Sequence, residues 1–259
     1  MNERLKLLKT TMYYRSLFPI LAIILSFALP GFAKKENFRL NVGSFDKLTV
    51  YDNVHVVYHS HPDSTGYVTY QADKELADAF IFSNTNGNLK IQVTTDNVTL
   101  SDLPEIHVYS HHLTTVENSS DNSVKILSNG KVDKFTARVI GNGEIIADNI
   151  STPEVVADIA TGNGIIIISG TCGNAVYKML GAGTIQADEM KSESVKCKIM
   201  GGGTIGCWAK NKLDIRGIGS TKIYYKGEPK IKKVGGGKVY PLTFSEKEQI
   251  NKRIALHRE

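Results

Sequence analysis

Hydrophobic and polar positions alternate along most of the chain, in short runs separated by turns. The segments 195–199 and 213–216 place an apolar side chain at every second position. A period of two is typical of β-strands with one buried face. The same signal recurs nearer the N-terminus in residues 38–42, 48–50, 54–59, 67–70, 89–93 and 106–109. One short helix is predicted at Asp73–Phe80, with Asp73 as its cap. The pattern predicts an all-β chain.

Short glycine motifs return at nearly regular intervals through the second half of the chain, from Gly141 to Gly237. A repeat period of roughly 20 residues is typical of a solenoid with one coil per repeat. Residues 116–126 carry asparagine and serine in the glycine place and are predicted as an irregular opening coil. Glycine at a coil corner supplies positive φ and close backbone approach. The predicted corners are Gly141, Gly143, Gly162, Gly164, Gly181, Gly183, Gly201, Gly203, Gly217, Gly219, Gly235 and Gly237.

Stacked coils bury an apolar face that a single coil cannot bury by itself. The strands of neighbouring coils are then parallel and in register, so equivalent side chains form rows along the axis. The predicted inward row contains Ile145, Ile165 or Ile166, Ile185, Ile205 and Ile223.

Residues 1–33 resemble an export signal. Four basic residues precede the apolar run Leu17–Leu29, and Gly31 and Ala33 place small side chains before a cut at Lys34. Met12 is an alternative start. An uncleaved anchor is the competing interpretation, but this run is shorter than the ~20 residues that span a bilayer. We therefore expect an exported chain with no transmembrane segment after cleavage.

The predicted domain boundaries follow from these patterns. Residues 1–33 are the signal peptide and residues 34–241 the β-solenoid, which divides into N-terminal strands (34–112) and Gly-x-Gly coils (113–241). Residues 242–259 form a charged C-terminal cap or tail. Within them, Ser245–Glu248 matches a capping box, and Ile250 and Ile254 lie one helical turn apart. This predicts a short helix that covers the last coil, or a frayed tail.

Charge is distributed unevenly along the chain. The formal net charge is +5, but residues 34–207 carry 14 Lys/Arg against 20 Asp/Glu, whereas residues 208–240 carry nine against two. The last coils are therefore predicted to present a basic surface able to meet an anionic partner. Its residues are Lys210, Lys212, Arg216, Lys222, Lys226, Lys230, Lys232, Lys233 and Lys238. The alternative is that these lysines only prevent aggregation at a solenoid edge.

The cysteines and histidines leave other chemistries to consider. Cys172, Cys197 and Cys207 match no zinc spacing, and we expect buried thiols, although one disulfide pair stays open. If their segments were neighbours, imidazoles could hold a transition metal. The alternative, which we favour, is a set of polar strand and turn ends without convergence. The histidines concerned are His55, His59, His61, His107, His111 and His112.

Catalytic and cofactor sites find little support. The glycine repeats lack the Asp of calcium-binding nonapeptides, and no predicted helix follows them as a dinucleotide-binding motif requires. Asp148, Asp158 and Asp188 occupy similar corners and could form the carboxylate ladder of a polysaccharide-cleaving enzyme. Turn capping by Asp is the simpler interpretation. We expect no enzyme activity, metal, cofactor or nucleic-acid partner.

The chain resembles the auto-transporter adhesin, head GIN domain family of exported bacterial proteins, common in Bacteroidetes, from about Phe38 to Pro241. The resemblance is carried by the opening segment 45–56, the turn and strand 86–91, and the serial Gly-x-Gly coils. Asn53-Val54-His55 stands where the family's Gly-Ile-Asn is expected. The resemblance implies a right-handed parallel β-helix at the cell envelope or secreted, with an adhesive role and no catalytic residues.

Three functions follow as hypotheses. The first is a non-catalytic adhesin or envelope-binding module whose ligand, an anionic glycan or a protein, lies in the envelope or outside the cell. The second is a structural or sensory periplasmic protein with a protein partner. The third is a polysaccharide-active enzyme.

Overall fold

The computed structural model describes residues 35–61, 66–94 and 103–257. The predicted export signal lies outside these residues. The described chain is a parallel β-solenoid of about six turns, as the repeats predict. The early strands are β1 (Glu36–Asn41), β2 (Lys47–Val50), β3 (Val56–Ser60), β4 (Tyr67–Ala72), β5 (Phe80–Thr85), β6 (Asn88–Val93), β7 (Ile106–Ser110), β8 (Thr115–Asn118), β9 (Ser123–Ile126) and β10 (Lys134–Ile140).

The later strands are longer because each follows the chain around corners. They are β11 (Glu144–Thr161), β12 (Ile165–Met179), β13 (Thr184–Ile199) and β14 (Thr204–Gly217), followed by the shorter β15 (Lys222–Lys226), β16 (Lys230–Gly235) and β17 (Lys238–Pro241). Register shifts divide β11 into segments 144–147, 150–152 and 154–159, and β12–β14 divide in the same way. Each coil therefore contributes to three faces.

The three faces are named A, B and C. Face A contains β7, β3, β9, the first segments of β11–β14, then β15 and β17. Face B consists of the short middle segments. Face C contains β6, β2, β8, β10, the last segments of β11–β14, and β16. Antiparallel pairs occur only toward the N-terminal end among the described strands: β1–β4, β4–β7 and β5–β6.

Rows of apolar side chains fill the interior. Ile145, Ile166, Ile185, Ile205 and Ile223 pair in register from coil to coil, and each is fully buried. Burying a side chain of this size stabilises the fold by about 1.5–3 kcal/mol. The sequence left open whether Ile165 or Ile166 belongs to the inward row. The strand register shows that it is Ile166, because Ile166 pairs with Ile145 and Ile185. Its neighbour Ile165 points outward on face A.

Two kinds of constraint require glycine at the corners. Gly162 has φ +73°, and a Cβ there would lie 2.2 Å from the Gly141 carbonyl oxygen. At Gly183 no positive φ is present, but a Cβ would lie 2.0 Å from the Gly164 carbonyl oxygen. Backbones of successive coils approach too closely there for any side chain.

The two helices are short. Helix α1 (Lys74–Ala77) begins as predicted, with Asp73 accepting a hydrogen bond from the Leu76 amide at 2.8 Å. Helix α2 (Phe244–His257) begins with a capping box at Thr243–Glu246, two residues before the predicted box at Ser245–Glu248. The Thr243 amide donates to the Glu246 carboxylate, and the Glu246 amide donates to the Thr243 hydroxyl. No helix in the described ranges has the length and apolar character needed to cross a bilayer.

Helix α2 lies across face A and leaves the end of the last coil open. Ile250 and Ile254 are buried against Ile165 and Tyr224, which belong to different coils. At the end of the rod, all six residues of β16 are exposed. The position differs from the predicted end cap because the outward apolar side chains of face A need cover.

Candidate binding surface

Face C presents a basic surface over its last coils. In β13 and β14 the alternation turns Cys197 and Ile215 inward and the intervening basic side chains outward. We define the basic face as the outward cations of these coils: Lys178, Lys196, Lys198, Lys212, Arg216, Lys230 and Lys232. Parallel register aligns them in rows with a spacing of about 4.8 Å between coils.

One row shows how the charge changes along the rod. Glu117, Arg138, Asp158 and Lys178 succeed one another in register, with ion-pair distances of 3.9, 4.0 and 3.7 Å. The next two coils continue the same row with Lys198 and Arg216. Charges of opposite sign thus alternate from Glu117 to Lys178, and only positive charges follow in the next two coils. Consecutive positive charges favour the binding of an anionic ligand.

The carboxylate of Asp214 lies within the basic face and is already paired. Arg216 donates to both its oxygens at 3.0 and 3.1 Å. These hydrogen bonds, aided by the nearby charges, hold the pKa of Asp214 below its usual value. Within the described part of the chain, no carboxylate lies within 4 Å of the five remaining ammonium groups near it: Lys196, Lys198, Lys212, Lys230 and Lys232.

The nine basic residues predicted from the sequence do not form one surface. Lys212, Arg216, Lys230 and Lys232 lie on the basic face. The other five are placed elsewhere: Lys222 and Lys238 on face A, Lys226 beside Asp188, Lys210 on a corner beside Glu193, and Lys233 at an inward register position. The count of lysines therefore predicted the charged end of the rod but not its distribution among faces.

Lys233 has a separate role at the end of the solenoid. Its register partner in the preceding coil is the buried Ile215. A charge at an inward position of an edge strand opposes the addition of another strand. This accords with the interpretation of some terminal lysines as protection against aggregation.

The predicted basic surface was limited to residues 208–240. It therefore did not include Lys178, Lys196 and Lys198, which precede this range. The signal for two of them was present in the alternation Val195-Lys196-Cys197-Lys198-Ile199, which places both lysines on the outward face of one strand.

Among the described histidines, the rings of His111 and His112 lie 5.4 Å apart, and a second pair is formed across two strands. His59 and His107 lie on the neighbouring strands β3 and β7, with Nε2 of the first 3.0 Å from Nδ1 of the second. Burial and the charge of His107 lower the pKa of His59. His55 instead contacts Ser123 at 3.1 Å. The described residues contain no group of three or more metal-ligating side chains.

The three corner aspartates do not form a ladder. Asp158 lies on face C beside Arg138 and Lys178. Asp148 accepts from Ser169 at 3.0 Å, whereas Asp188 is buried between Lys226 and Lys247, at 3.0 and 3.3 Å. Burial opposes ionisation of Asp188, but the hydrogen bonds and charges of the two lysines outweigh it and lower its pKa.

The three cysteines are buried free thiols. Cys172 donates to the Ser192 hydroxyl at 3.2 Å. Hydrogen bonding with Cys197 and burial hold the pKa of Cys207 well above its usual range. The side chains of all three cysteines are thus packed inside the coils.

Comparisons with known proteins agree with this architecture. A putative adhesin from Bacteroides fragilis superimposes with a TM-score of 0.70 at 18% identity, over 81% of this chain and 97% of the other. A putative adhesin from Parabacteroides distasonis gives 0.64 at 20%, over 82% and 98%. A putative lipid binding protein from the same species gives 0.59 at 23%, also over 82% and 98%. No curated protein matches the chain.

Likeness at these identities shows a shared fold. The family assignment rests on a sequence match instead, since one family model aligns with residues 44–229, most of the chain. This chain belongs to the family described as "Putative auto-transporter adhesin, head GIN domain".

Proposed function

We propose that the chain is an exported, non-catalytic binding module of the adhesin type that holds a polyanionic ligand against the basic face. The family and the adhesin-like neighbours support the general role. A polyanionic ligand is proposed because of the row Lys178–Lys198–Arg216. In this row, three successive coils present a cation at the same register position.

Multivalency is the physical basis of such binding. A single exposed ion pair contributes about 0–1 kcal/mol because water screens it. A polymer that meets cations repeating at about 4.8 Å can form many such pairs at once. Affinity then depends on the number of pairs and falls as salt is added.

The solenoid holds these cations in fixed positions. Five of the seven cations lie on β12, β13 and β14, whose last segments pair with a strand on each side along face C. The inward residues of the same strands, Cys197 and Ile215, are fully buried. The backbone is therefore preorganised, and the ligand orders only side chains when it binds.

Charge removal on one face, compared with equal charge removal on another, tests this proposal. The variant Lys196→Gln/Lys198→Gln should bind polygalacturonate or dextran sulfate at least about tenfold more weakly than the wild type. The matched control Lys222→Gln/Lys238→Gln removes charges from face A and should stay within about twofold. Equal losses in both variants would reject the basic face as the site.

A protein partner at the end of the rod is the second candidate. Ile218, Val234 and Ile231 are 68%, 56% and 44% exposed there, and apolar exposure of this kind favours protein contact. Cross-linking in the native envelope would support this function if one stoichiometric partner is captured through that end. Capture through the basic face, or none, would count against it.

A further inference from the structure

A groove of about 1330 Å³ runs along face B and its border with face C. None of its lining residues belongs to the basic face. The residues that matter for its chemistry are Lys131, Ser151, Thr171, Lys191, Glu193 and Trp208.

The floor of the groove is a row with one residue from each coil. Ser151, Thr171, Lys191 and Trp208 pair in register, so their side chains repeat at about 4.8 Å. Thr171 Oγ1 lies 3.5 Å from Ser151 Oγ. One half of the floor is thus rich in hydroxyl groups, and the other half is basic and aromatic.

Trp208 is the single tryptophan of the chain, and it orders the basic half. Lys191 and Lys226 place their ammonium groups 5.1 and 5.6 Å from the centre of its ring. Lys226 forms an ion pair with Asp188, with 3.0 Å between its Nζ and the Asp188 Oδ2. Lys191 is exposed, and no described carboxylate lies within 4 Å of its ammonium group. The indole therefore holds one available cation over the floor.

The wall that carries Lys131 is fixed before any ligand arrives. Its neighbour Val132 accepts a 2.7 Å hydrogen bond from the Thr152 hydroxyl. Asn129 exchanges hydrogen bonds of 2.7 and 2.9 Å with the Leu113 backbone. A preorganised wall reduces the entropy lost on binding.

The lining of the groove carries four lysines (Lys131, Lys134, Lys191 and Lys210) against two carboxylates (Asp133 and Glu193), and this excess of positive charge favours acidic ligands. Lys210 pairs with Glu193 at 3.1 Å, and Lys134 with Glu154 at 2.8 Å. Among the described residues, no carboxylate within 4 Å neutralises Lys131 or Lys191. The methyl groups of the threonines and the lysine stems add apolar surface beside the polar atoms.

We propose that this groove binds one extended chain of an acidic glycan. Sugar hydroxyls exchange hydrogen bonds with Ser151 and Thr171, and an acidic group of the chain pairs with Lys191 above Trp208. The rise of one coil is comparable to the length of one sugar residue, so a linear chain can address successive coils. The site is independent of the basic face, because it uses different residues and short-range contacts.

The single tryptophan provides the test. An oligogalacturonide hexasaccharide should change Trp208 fluorescence saturably, whereas the neutral maltohexaose should not. Lys191→Met keeps the aliphatic stem and should raise the Kd at least about tenfold, as expected when a charge-assisted hydrogen bond is lost. Thr171→Val, which leaves every charge in place, should weaken binding by a smaller factor.

The basic-face variant Lys232→Met separates this site from the proposed function. It should leave the fluorescence titration unchanged. An unsaturable response, equal binding of the neutral sugar, or an unchanged Kd in Lys191→Met would overturn the proposal that the groove binds an acidic glycan. So would a stronger response to phosphatidylglycerol vesicles, which would favour a lipid. These outcomes leave the basic-face test unaffected, because that test compares proteins that all keep the residues of the groove.

Discussion

Lys247 of helix α2 lies 3.3 Å from the carboxylate of Asp188, which is only 1% exposed. Lys226 contacts the same carboxylate at 3.0 Å from the last coils. A buried charge of this kind needs both partners, because removing one leaves charge without compensation. Asp188 on β13 therefore links helix α2, through Lys247, to strand β15, through Lys226, the lysine beside Trp208.

We expect Asp188→Asn to lower the free energy of unfolding by about 3 kcal/mol at neutral pH, as for other broken buried pairs. The pKa of Asp188 is below its ordinary 3.8 in the folded protein. The ionised form therefore stabilises the fold above about pH 4, and the contribution is lost as pH falls through the folded-state pKa. Urea unfolding at pH 7 and pH 3 checks this.

The control for that prediction is Glu189→Gln. Glu189 also contacts Lys247, at 2.6 Å, but its side chain is 62% exposed. An exposed pair should contribute less than about 1 kcal/mol. If both variants lose equal stability, or if the Asp188 effect is unchanged at pH 3, the proposed anchor is wrong.

Helix α2 should detach when its two buried isoleucines are shortened. Ile250 and Ile254 are 3% and 5% exposed, and truncating a buried isoleucine costs about 2–5 kcal/mol. We expect Ile250→Ala/Ile254→Ala to increase amide hydrogen exchange across 244–257 while β11–β13 stay protected. The exposed control Lys252→Ala should have no such effect. Unchanged exchange in the double variant would contradict the packing.

Corner glycines should differ sharply in their tolerance of alanine. Gly183→Ala would place a Cβ 2.0 Å from a backbone oxygen, whereas Gly202→Ala would meet nothing closer than the Ser220 hydroxyl at 3.5 Å. We expect the first variant to lower Tm by several degrees and the second to stay within about 0.5 kcal/mol of the wild type. Thermal unfolding of both proteins compares them. Equal Tm values would show that the coils can separate at this corner.

The periodic features of the fold could be predicted because they are local. Alternation identified the strands, and the glycine period identified the coils. The choice between Ile165 and Ile166 depends on register with Glu144 and Ile145, which one strand alone cannot reveal. The capping box was misplaced because Ser245–Glu248 and Thr243–Glu246 match the same pattern. Only the contacts of the helix start distinguish them.

The binding surface was harder to predict for a similar reason. Each lysine's face depends on how many residues its coil uses at the corners, and the coils vary in length. Lys222 and Lys238 therefore reach face A, while Lys198 and Arg216 meet on face C. The Lys191–Trp208 contact joins consecutive coils across a register shift, between residues that are distant in sequence. No local motif marks it.

Lysine footprinting shows which face of the solenoid the polyanion covers. The chain is labelled with an amine-reactive reagent, with and without polygalacturonate, and read by mass spectrometry. If the polyanion binds the basic face, Lys196, Lys198, Lys212 and Lys232 are protected, and Lys222 and Lys238 are labelled equally in both states. Protection of the face A lysines, or uniform labelling of all six with the polyanion bound, would contradict binding at the basic face.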